Sequence, residues 1–131
     1  MRSTPARFVL LCVLAAWAAG CGGNLKVSSI QTGRSLNSDN SIGALSTSFK
    51  PNDTIYVSVL TDGYGSGAIG VKFSYLGRVI AEPEKKVTYK GAAATEFHIA
   101  YSGGGFPAGE YDIDVTFNGA PAGMRKVRVE Q

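Results

Sequence analysis

The chain has 131 residues and a formal net charge of +3, with 13 Lys and Arg against 10 Asp and Glu. Arg2 and Arg7 account for most of this excess, because the sequence from residue 22 onward has eleven basic and ten acidic residues. Nucleic-acid binding needs a basic stripe or patch, so this near-neutral composition excludes that class of function.

The first segment has the three parts of a secretory signal: a charged start, an apolar middle and small residues at a cleavage site. The apolar run extends without interruption from Phe8 to Ala19, and Gly20 precedes Cys21. A membrane-spanning helix needs roughly 20 apolar residues, so a retained span is the weaker interpretation. Residues 1–20 are therefore predicted to be a signal peptide that is removed.

The stretch Ala18-Ala19-Gly20-Cys21 resembles the lipobox of bacterial lipoproteins. This resemblance implies cleavage before Cys21, a diacylglycerol on its sulfur and a third acyl chain on its amino group. Several acyl chains attach a protein to a bilayer effectively permanently, at about 0.8 kcal/mol per buried methylene. In that family Asp after the cysteine favours the inner membrane, and Gly22 stands here instead. The expected location is the cell envelope, anchored in the outer membrane and facing the periplasm, with residues 21–24 as lipidated cysteine and tether.

The rest of the sequence predicts one all-β domain over residues 25–131. Sixteen glycines follow Cys21, apolar strands recur between them, and no helical period persists for three turns. This pattern favours an antiparallel sandwich of about seven strands. The predicted strands are Leu25–Ile30, Ile55–Leu60, Ile69–Tyr75, Arg78–Glu82, Val87–Tyr89, Glu96–Tyr101, Glu110–Phe117 and Val127–Val129, with a short edge strand near Ala44–Ser48. A loop is predicted at Asp62–Gly67.

Asn118-Gly119 favours a tight hairpin turn, because both residues tolerate positive φ. A strict two-residue turn would place the charge of Glu110 opposite the apolar Val127. Shifting the register by one residue gives three better pairs: Tyr111 with Val127, Asp112 with Lys126, and Glu110 with Arg128. Charges then oppose charges and one face stays apolar. The sequence therefore predicts a bulge of one extra residue within Ala120–Gly123.

The stretch Pro107-Ala108-Gly109-Glu110-Tyr111-Asp112-Ile113 resembles the entry to strand F of immunoglobulin-like domains. In those domains a tyrosine precedes the second cysteine by two residues. Ile113 stands in the cysteine position, and Phe73 is expected to take the packing place of the family's tryptophan. With Phe49–Tyr56 and Glu96–Ile99, the chain is similar over residues 25–130 to small bacterial lipoproteins that have one immunoglobulin-like domain and no assigned activity. A shared fold does not imply a shared function, so the resemblance transfers no functional residues.

Two groups of residues are candidates for catalysis. His98 is the only histidine, but alternation places it on the surface, and a general base needs a partner that the sequence does not mark. Glu110, Asp112 and Asp114 line one strand face and resemble paired carboxylates for glycoside hydrolysis. Basic residues across the hairpin offer them a simpler role as ion pairs. The sequence therefore predicts a protein that is not an enzyme and that uses no cofactor.

Two polar loops are candidates for ligand sites. Asn37, Asp39 and Ser41 have the spacing that begins a calcium loop, but Ser48 stands where an acidic residue should close it. Transition metals need clusters of His and Cys that the sequence lacks. Gly103–Gly105 lies between two strands with no following helix, so it does not predict a phosphate site. No metal is expected.

Aromatic residues in glycine-rich loops are the strongest sign of binding. Tyr64 and Phe106 each lie beside several glycines, where a ring can contact a partner or cap the core. The leading hypothesis is a membrane-anchored, non-enzymatic binding or structural module that acts through protein contacts in the envelope. The alternative is a glycan or small-molecule binder that uses these two rings. Beyond the membrane, the expected partner is an envelope protein.

Overall fold

The protein consists of short strands, along which buried and more exposed side chains alternate. The computed structural model describes residues 24–131, and every regular element within that range is a β-strand. The strands are β1 (Lys26–Gly33), β2 (Ser48–Phe49), β3 (Ile55–Asp62), β4 (Gly65–Tyr75), β5 (Arg78–Ala81), β6 (Glu84–Tyr89), β7 (Ala93–Ile99), β8 (Gly109–Phe117) and β9 (Ala120–Val129). The described range contains no helix with the length and apolar character of a membrane span.

The strands form two sheets that pack face to face. One sheet has three strands in the order β1-β3-β7, and the other has six, with β2-β9-β8-β4-β5 in a row and β6 also paired to β4. Strand β2 runs parallel to β9, and every other pairing between these strands is antiparallel. The predicted all-β, antiparallel sandwich is confirmed.

The core consists of the side chains that alternate inward from both sheets. Phe73 is fully buried at the centre of β4, in agreement with its expected packing role. The residues buried with it are Ile30, Phe49, Ile55, Val57, Val59, Ile69, Val71, Phe97, Phe106, Tyr111, Ile113, Val115, Val127 and Val129. Each buried aliphatic or aromatic side chain stabilises the fold by roughly 1.5–3 kcal/mol, so this set supplies the main driving force.

Strands β5 and β6 lie along the same side of β4. β5 pairs with residues 73–75 of β4 and β6 with residues 65–70. Pro83 separates them because proline has no N–H to donate to a ladder, although its carbonyl still accepts from Val71 N at 3.0 Å. Together they act as one interrupted strand, so the sandwich has seven principal strands and the two-residue β2.

The hairpin of β8 and β9 has the predicted shifted register. Tyr111 pairs with Val127, Asp112 with Lys126, and Glu110 with Arg128. Near the turn, Val115 pairs with Gly123 while Thr116 pairs with Pro121, so Ala122 is the extra residue. The predicted bulge within Ala120–Gly123 is confirmed.

Some boundaries differ from the sequence prediction. β7 ends at Ile99 because its partner β3 begins at Ile55, the residue opposite, and Tyr101 therefore has no strand to pair with. The loop predicted at Asp62–Gly67 shrinks to Gly63 and Tyr64. The short edge strand lies at Ser48–Phe49, where the buried Phe49 anchors it in the core.

Candidate binding groove

A cluster of aromatic rings closes one end of the sandwich. Tyr111 is buried at the start of β8, and the ring of Tyr75 stacks on it with centroids 4.6 Å apart. Phe106 meets Tyr111 edge-on at 5.7 Å. The Tyr111 hydroxyl donates to the carbonyl of Pro107 at 2.7 Å, and that of Tyr75 donates to the carbonyl of Ala108 at 2.8 Å. The two phenols thereby fix the loop that enters β8.

A groove of about 350 Å³ opens beside this cluster. It runs between the β4–β5 turn and the loop that joins β7 to β8. Its lining consists of Tyr75, Leu76, Arg78, Ile80, Tyr101, Phe106, Pro107 and Tyr111. Leu76 is 82% exposed, Tyr101 49% and Ile80 45%, so the apolar rim of the groove faces solvent.

The β4–β5 turn holds Leu76 outward. Leu76 and Gly77 both have positive φ, 52° and 78°, the combination that a type I′ hairpin turn requires. A branched side chain rarely adopts this conformation, and outliers of this kind cluster at functional sites. The side chain of Leu76 is therefore displayed at the rim rather than packed.

Strand β5 is an open edge of the six-stranded sheet. It pairs with β4 on one side, and no strand of residues 24–131 pairs with its other side. Arg78 and Ile80 project from it into the groove. Within the described chain Arg78 makes no ion pair closer than 4.0 Å, and its guanidinium adds a positive charge to an otherwise apolar surface.

The phenol of Tyr111 stays neutral in this setting. Burial raises the pKa of Tyr111 to about 12, and the neighbouring Tyr75 and Tyr101 add to the shift. The hydroxyl therefore acts as a fixed hydrogen-bond donor to Pro107 near neutral pH, not as an acid or base.

The two aromatic residues predicted as binding residues do not come together. Tyr64 is 62% exposed at the turn before β4, whereas Phe106 is only 2% exposed beside Tyr75, where β4 ends. They therefore lie at opposite ends of the sandwich. Phe106 borders the groove from within the core, and almost none of its surface is exposed.

The groove residues that sequence analysis missed are Leu76, Ile80 and Tyr101. The sequence predicts Tyr101 as the last residue of a strand, and Leu76 falls between two predicted strands. A leucine immediately before a turn glycine was the available signal, because a residue at that position is rarely buried.

His98 lies in a chain of polar contacts across the edges of the two sheets. Its imidazole contacts the Glu96 carboxylate, which also lies 3.4 Å from Lys85 Nζ on β6. Burial raises the pKa of Glu96, but the hydrogen bond with His98 and the charge of Lys85 outweigh it, so the net shift is downward. Lys85 also lies over the ring of Phe97 at 5.0 Å. The contact between Lys85 and Glu96 joins β6 to β7.

Two members of the acidic row of β8, Glu110 and Asp112, are paired across the hairpin. Lys126 Nζ lies 2.7 Å from Asp112 and 3.7 Å from Glu110. The hydrogen bond from Lys126 to Asp112, with the attraction between their charges, raises the pKa of Lys126. These contacts support the interpretation of Glu110 and Asp112 as ion-pair partners of Lys126.

The loop whose spacing resembles the start of a calcium site is a turn held by hydrogen bonds among its own residues. Asn37 N donates to the Ser41 carbonyl at 2.8 Å, and Ser41 N donates to the Asp39 carboxylate at 3.0 Å. The hydrogen bonds from Ser41 lower the pKa of Asp39. Between residues 24 and 131, no three His, Cys, Asp or Glu side chains lie close enough to share a metal ion.

Cys21, the predicted lipidation site, lies outside the described residues. The described chain begins at Asn24, which forms an isolated parallel bridge with Tyr64.

Gly103–Gly105 all have positive φ, and the next residue, Phe106, donates its N–H to the carbonyl of Pro51 at 2.8 Å. These glycines lead Phe106 into the core.

Comparison with known proteins identifies the architecture. The chain is similar to the crystal structure of an immunoglobulin-like protein from Pseudomonas aeruginosa, with a TM-score of 0.57 and 13% sequence identity. The match covers 85% of this chain and 100% of that chain. No protein-family model matches the sequence, and no curated protein matches it either. At this identity the likeness shows the immunoglobulin-like fold and no function.

Proposed function

We propose that this protein is a lipid-anchored component of the cell envelope whose immunoglobulin-like domain binds another protein and catalyses no reaction. The observation that carries the proposal is the open edge of β5 beside an apolar groove. The anchor would be Cys21, in the outer membrane and facing the periplasm. The groove lies at the end of the sandwich opposite Tyr64 and the N-terminal entry of the chain.

A protein partner fits this site better than other ligands do. An extended segment can add to an open sheet edge through main-chain hydrogen bonds, while pockets for alternate side chains select its sequence. The groove would take an apolar side chain between Leu76 and Tyr101. A carboxylate nearby on the partner would complement Arg78, which has no ion-pair partner in the described chain.

The geometry favours a glycan less. Sugar binding needs an exposed aromatic face with polar groups that converge on it. Of the four aromatic rings that line the groove, only Tyr101 is largely exposed, and the phenols of Tyr75 and Tyr111 already donate to Ala108 and Pro107. Few polar groups remain free at this site to recognise sugar hydroxyls.

The anchor is tested by labelling cells with a radioactive fatty acid. The parent protein should incorporate label and fractionate with the outer membrane. Cys21→Ala should incorporate none and be either released or left uncleaved. Equal labelling of parent and variant would show that the protein is not lipidated at this cysteine.

The partner site is tested with a photo-crosslinking residue placed at Ile80 in intact cells. We expect one discrete crosslinked protein, lost when Leu76→Asp is added, and crosslinked through an extended segment with an apolar residue next to Asp or Glu. The same crosslinker at Thr88, exposed on β6, is the matched control. A product that peptidoglycan hydrolases degrade would favour the glycan alternative, and equal products at both positions would refute the site.

A further inference from the structure

We infer that the end of the domain that carries Tyr64 is a second membrane contact, with the Tyr64 ring seated among phospholipid headgroups. This inference rests on the proposed lipid anchor at Cys21. It also fixes the orientation of the domain, because the groove lies at the other end of β4.

The chain enters the fold beside Tyr64. Asn24 bridges to Tyr64 in parallel, and the next residue, Leu25, is buried with 7% exposure. Gly65 packs close to Leu25, since a Cβ on that glycine would lie 3.8 Å from the Leu25 Cβ. The position of the first described residue is therefore tied to the β3–β4 turn.

The tether leaves little distance between this turn and the bilayer. Asn24 follows Cys21 by three residues, and three residues span at most about 10–11 Å when fully extended. The headgroup region of one leaflet is about 5–8 Å thick. A diacylglycerol on Cys21 would therefore hold the Tyr64 end against the membrane surface, with no room for another protein between them.

Tyr64 has the chemistry for this position. Its side chain is 62% exposed, and it projects from a turn whose flanking glycines have φ of 85° at Gly63 and 133° at Gly65. Tyrosine has an apolar ring with a polar tip and is enriched where membranes meet water. Tyr89 pairs with Gly65, and the next residue, Lys90, is exposed. Its positive charge suits anionic lipid headgroups.

The contact would direct the groove away from the lipid. Strand β4 runs from Gly65, beside Tyr64, to Tyr75 in the groove. Its eleven residues rise about 3.3 Å each, so the two ends lie roughly 33 Å apart. The open edge of β5 would then face the periplasm, where an envelope protein can reach it.

The test places one tryptophan at each end of the full-length, lipidated protein. The only natural tryptophan, Trp17, lies in the predicted signal, so Tyr64→Trp and the control Tyr101→Trp each give a single indole after processing. Each variant is reconstituted into vesicles of phosphatidylethanolamine and phosphatidylglycerol brominated near the headgroups. We expect the Tyr64→Trp fluorescence to fall at least twofold more than that of Tyr101→Trp.

The outcomes separate this inference from the proposed function. A protein that does not float with the vesicles refutes the anchor and this inference with it. A protein that floats, but whose two indoles are quenched equally, leaves the anchor standing and refutes the contact at Tyr64. Spin labels at Gly91→Cys and Ser102→Cys repeat the comparison with Tyr64 intact. The label at position 91 should be at least twofold less accessible to a water-soluble nickel reagent.

Discussion

The hydroxyl of Tyr111 donates a hydrogen bond of 2.7 Å to the backbone carbonyl of Pro107, four residues earlier in the chain. Immunoglobulin-like domains have a tyrosine in this position whose hydroxyl bonds to the backbone upstream. Here the bond closes the loop that brings Phe106 into the core and starts β8 at Gly109. The same loop forms one wall of the groove, so a contact of the fold also shapes the candidate site.

Tyr111→Phe should lower the free energy of unfolding by about 0.5–1.5 kcal/mol, the usual contribution of a hydrogen bond. The reason is that the carbonyl of Pro107 loses its donor while the ring still packs. Urea unfolding at neutral pH measures the change. Tyr75→Phe is the control, because that ring is less buried and its carbonyl partner can turn to water. A larger loss in the control would contradict the assigned role of Tyr111.

The same substitution should change the response to alkali. The ordinary pKa of tyrosine is 10.0, and burial raises that of Tyr111 to about 12 in the folded protein. A raised pKa gives stability that is fully present below pH 10 and is lost as the pH rises towards 12. The parent protein should therefore lose more stability than Tyr111→Phe over this range. Parallel alkaline unfolding curves would contradict the shift.

Phe73→Ala should cost roughly 3–5 kcal/mol, the range for deleting a buried phenylalanine side chain. Phe73 is fully buried between the sheets, whereas Val79 is 50% exposed on β5. Val79→Ala should therefore change stability by no more than about 0.5 kcal/mol. Denaturant midpoints of the two variants give the comparison. An unchanged midpoint for Phe73→Ala would contradict its central place in the core.

The hairpin register was predictable because charge and apolar character alternate on both strands. Only one register brings Lys126 opposite Asp112 and Val127 opposite Tyr111. The other register is unfavourable because it places the charge of Glu110 opposite the apolar Val127. Phe106 and Tyr64 were not distinguishable in this way, because both are aromatic residues among glycines. Their burial depends on which distant strands pass beside them, and local pattern does not encode that.

Gly123→Ala should destabilise the protein by roughly 1–3 kcal/mol through backbone strain at a positive φ together with crowding against Ile30. A Cβ at Gly123 would lie 2.7 Å from the Ile30 Cδ1, and φ is 145° there. Gly91→Ala is the control, because a Cβ at that glycine meets nothing within 4 Å. Thermal unfolding measures both.

The double variant Ile30→Val with Gly123→Ala separates the clash from the backbone strain. Valine lacks the Cδ1 atom, so Gly123→Ala should cost less stability in the Ile30→Val protein than in the parent. Equal costs in the two backgrounds would assign the whole effect to the positive φ. A stable Gly123→Ala protein would show that the bulge does not press against Ile30.

Glu96 should make stability depend on pH in the acid range. Its pKa in the folded protein lies below the ordinary 4.5, because the hydrogen bond with His98 and the charge of Lys85 outweigh burial. A lowered pKa gives stability that is present above pH 4.5 and is lost as the pH falls through the folded value. The stability advantage of the parent over Glu96→Gln should therefore be full at pH 7 and shrink below about pH 4.5, the ordinary carboxyl range.

The control is Glu130→Gln, at a carboxylate that is 60% exposed, which should leave the dependence of stability on pH unchanged. Urea unfolding from pH 7 to pH 3 decides the matter: a gap between parent and Glu96→Gln that stays constant over this range would mean that the contacts among Lys85, Glu96 and His98 contribute no charge-dependent stability.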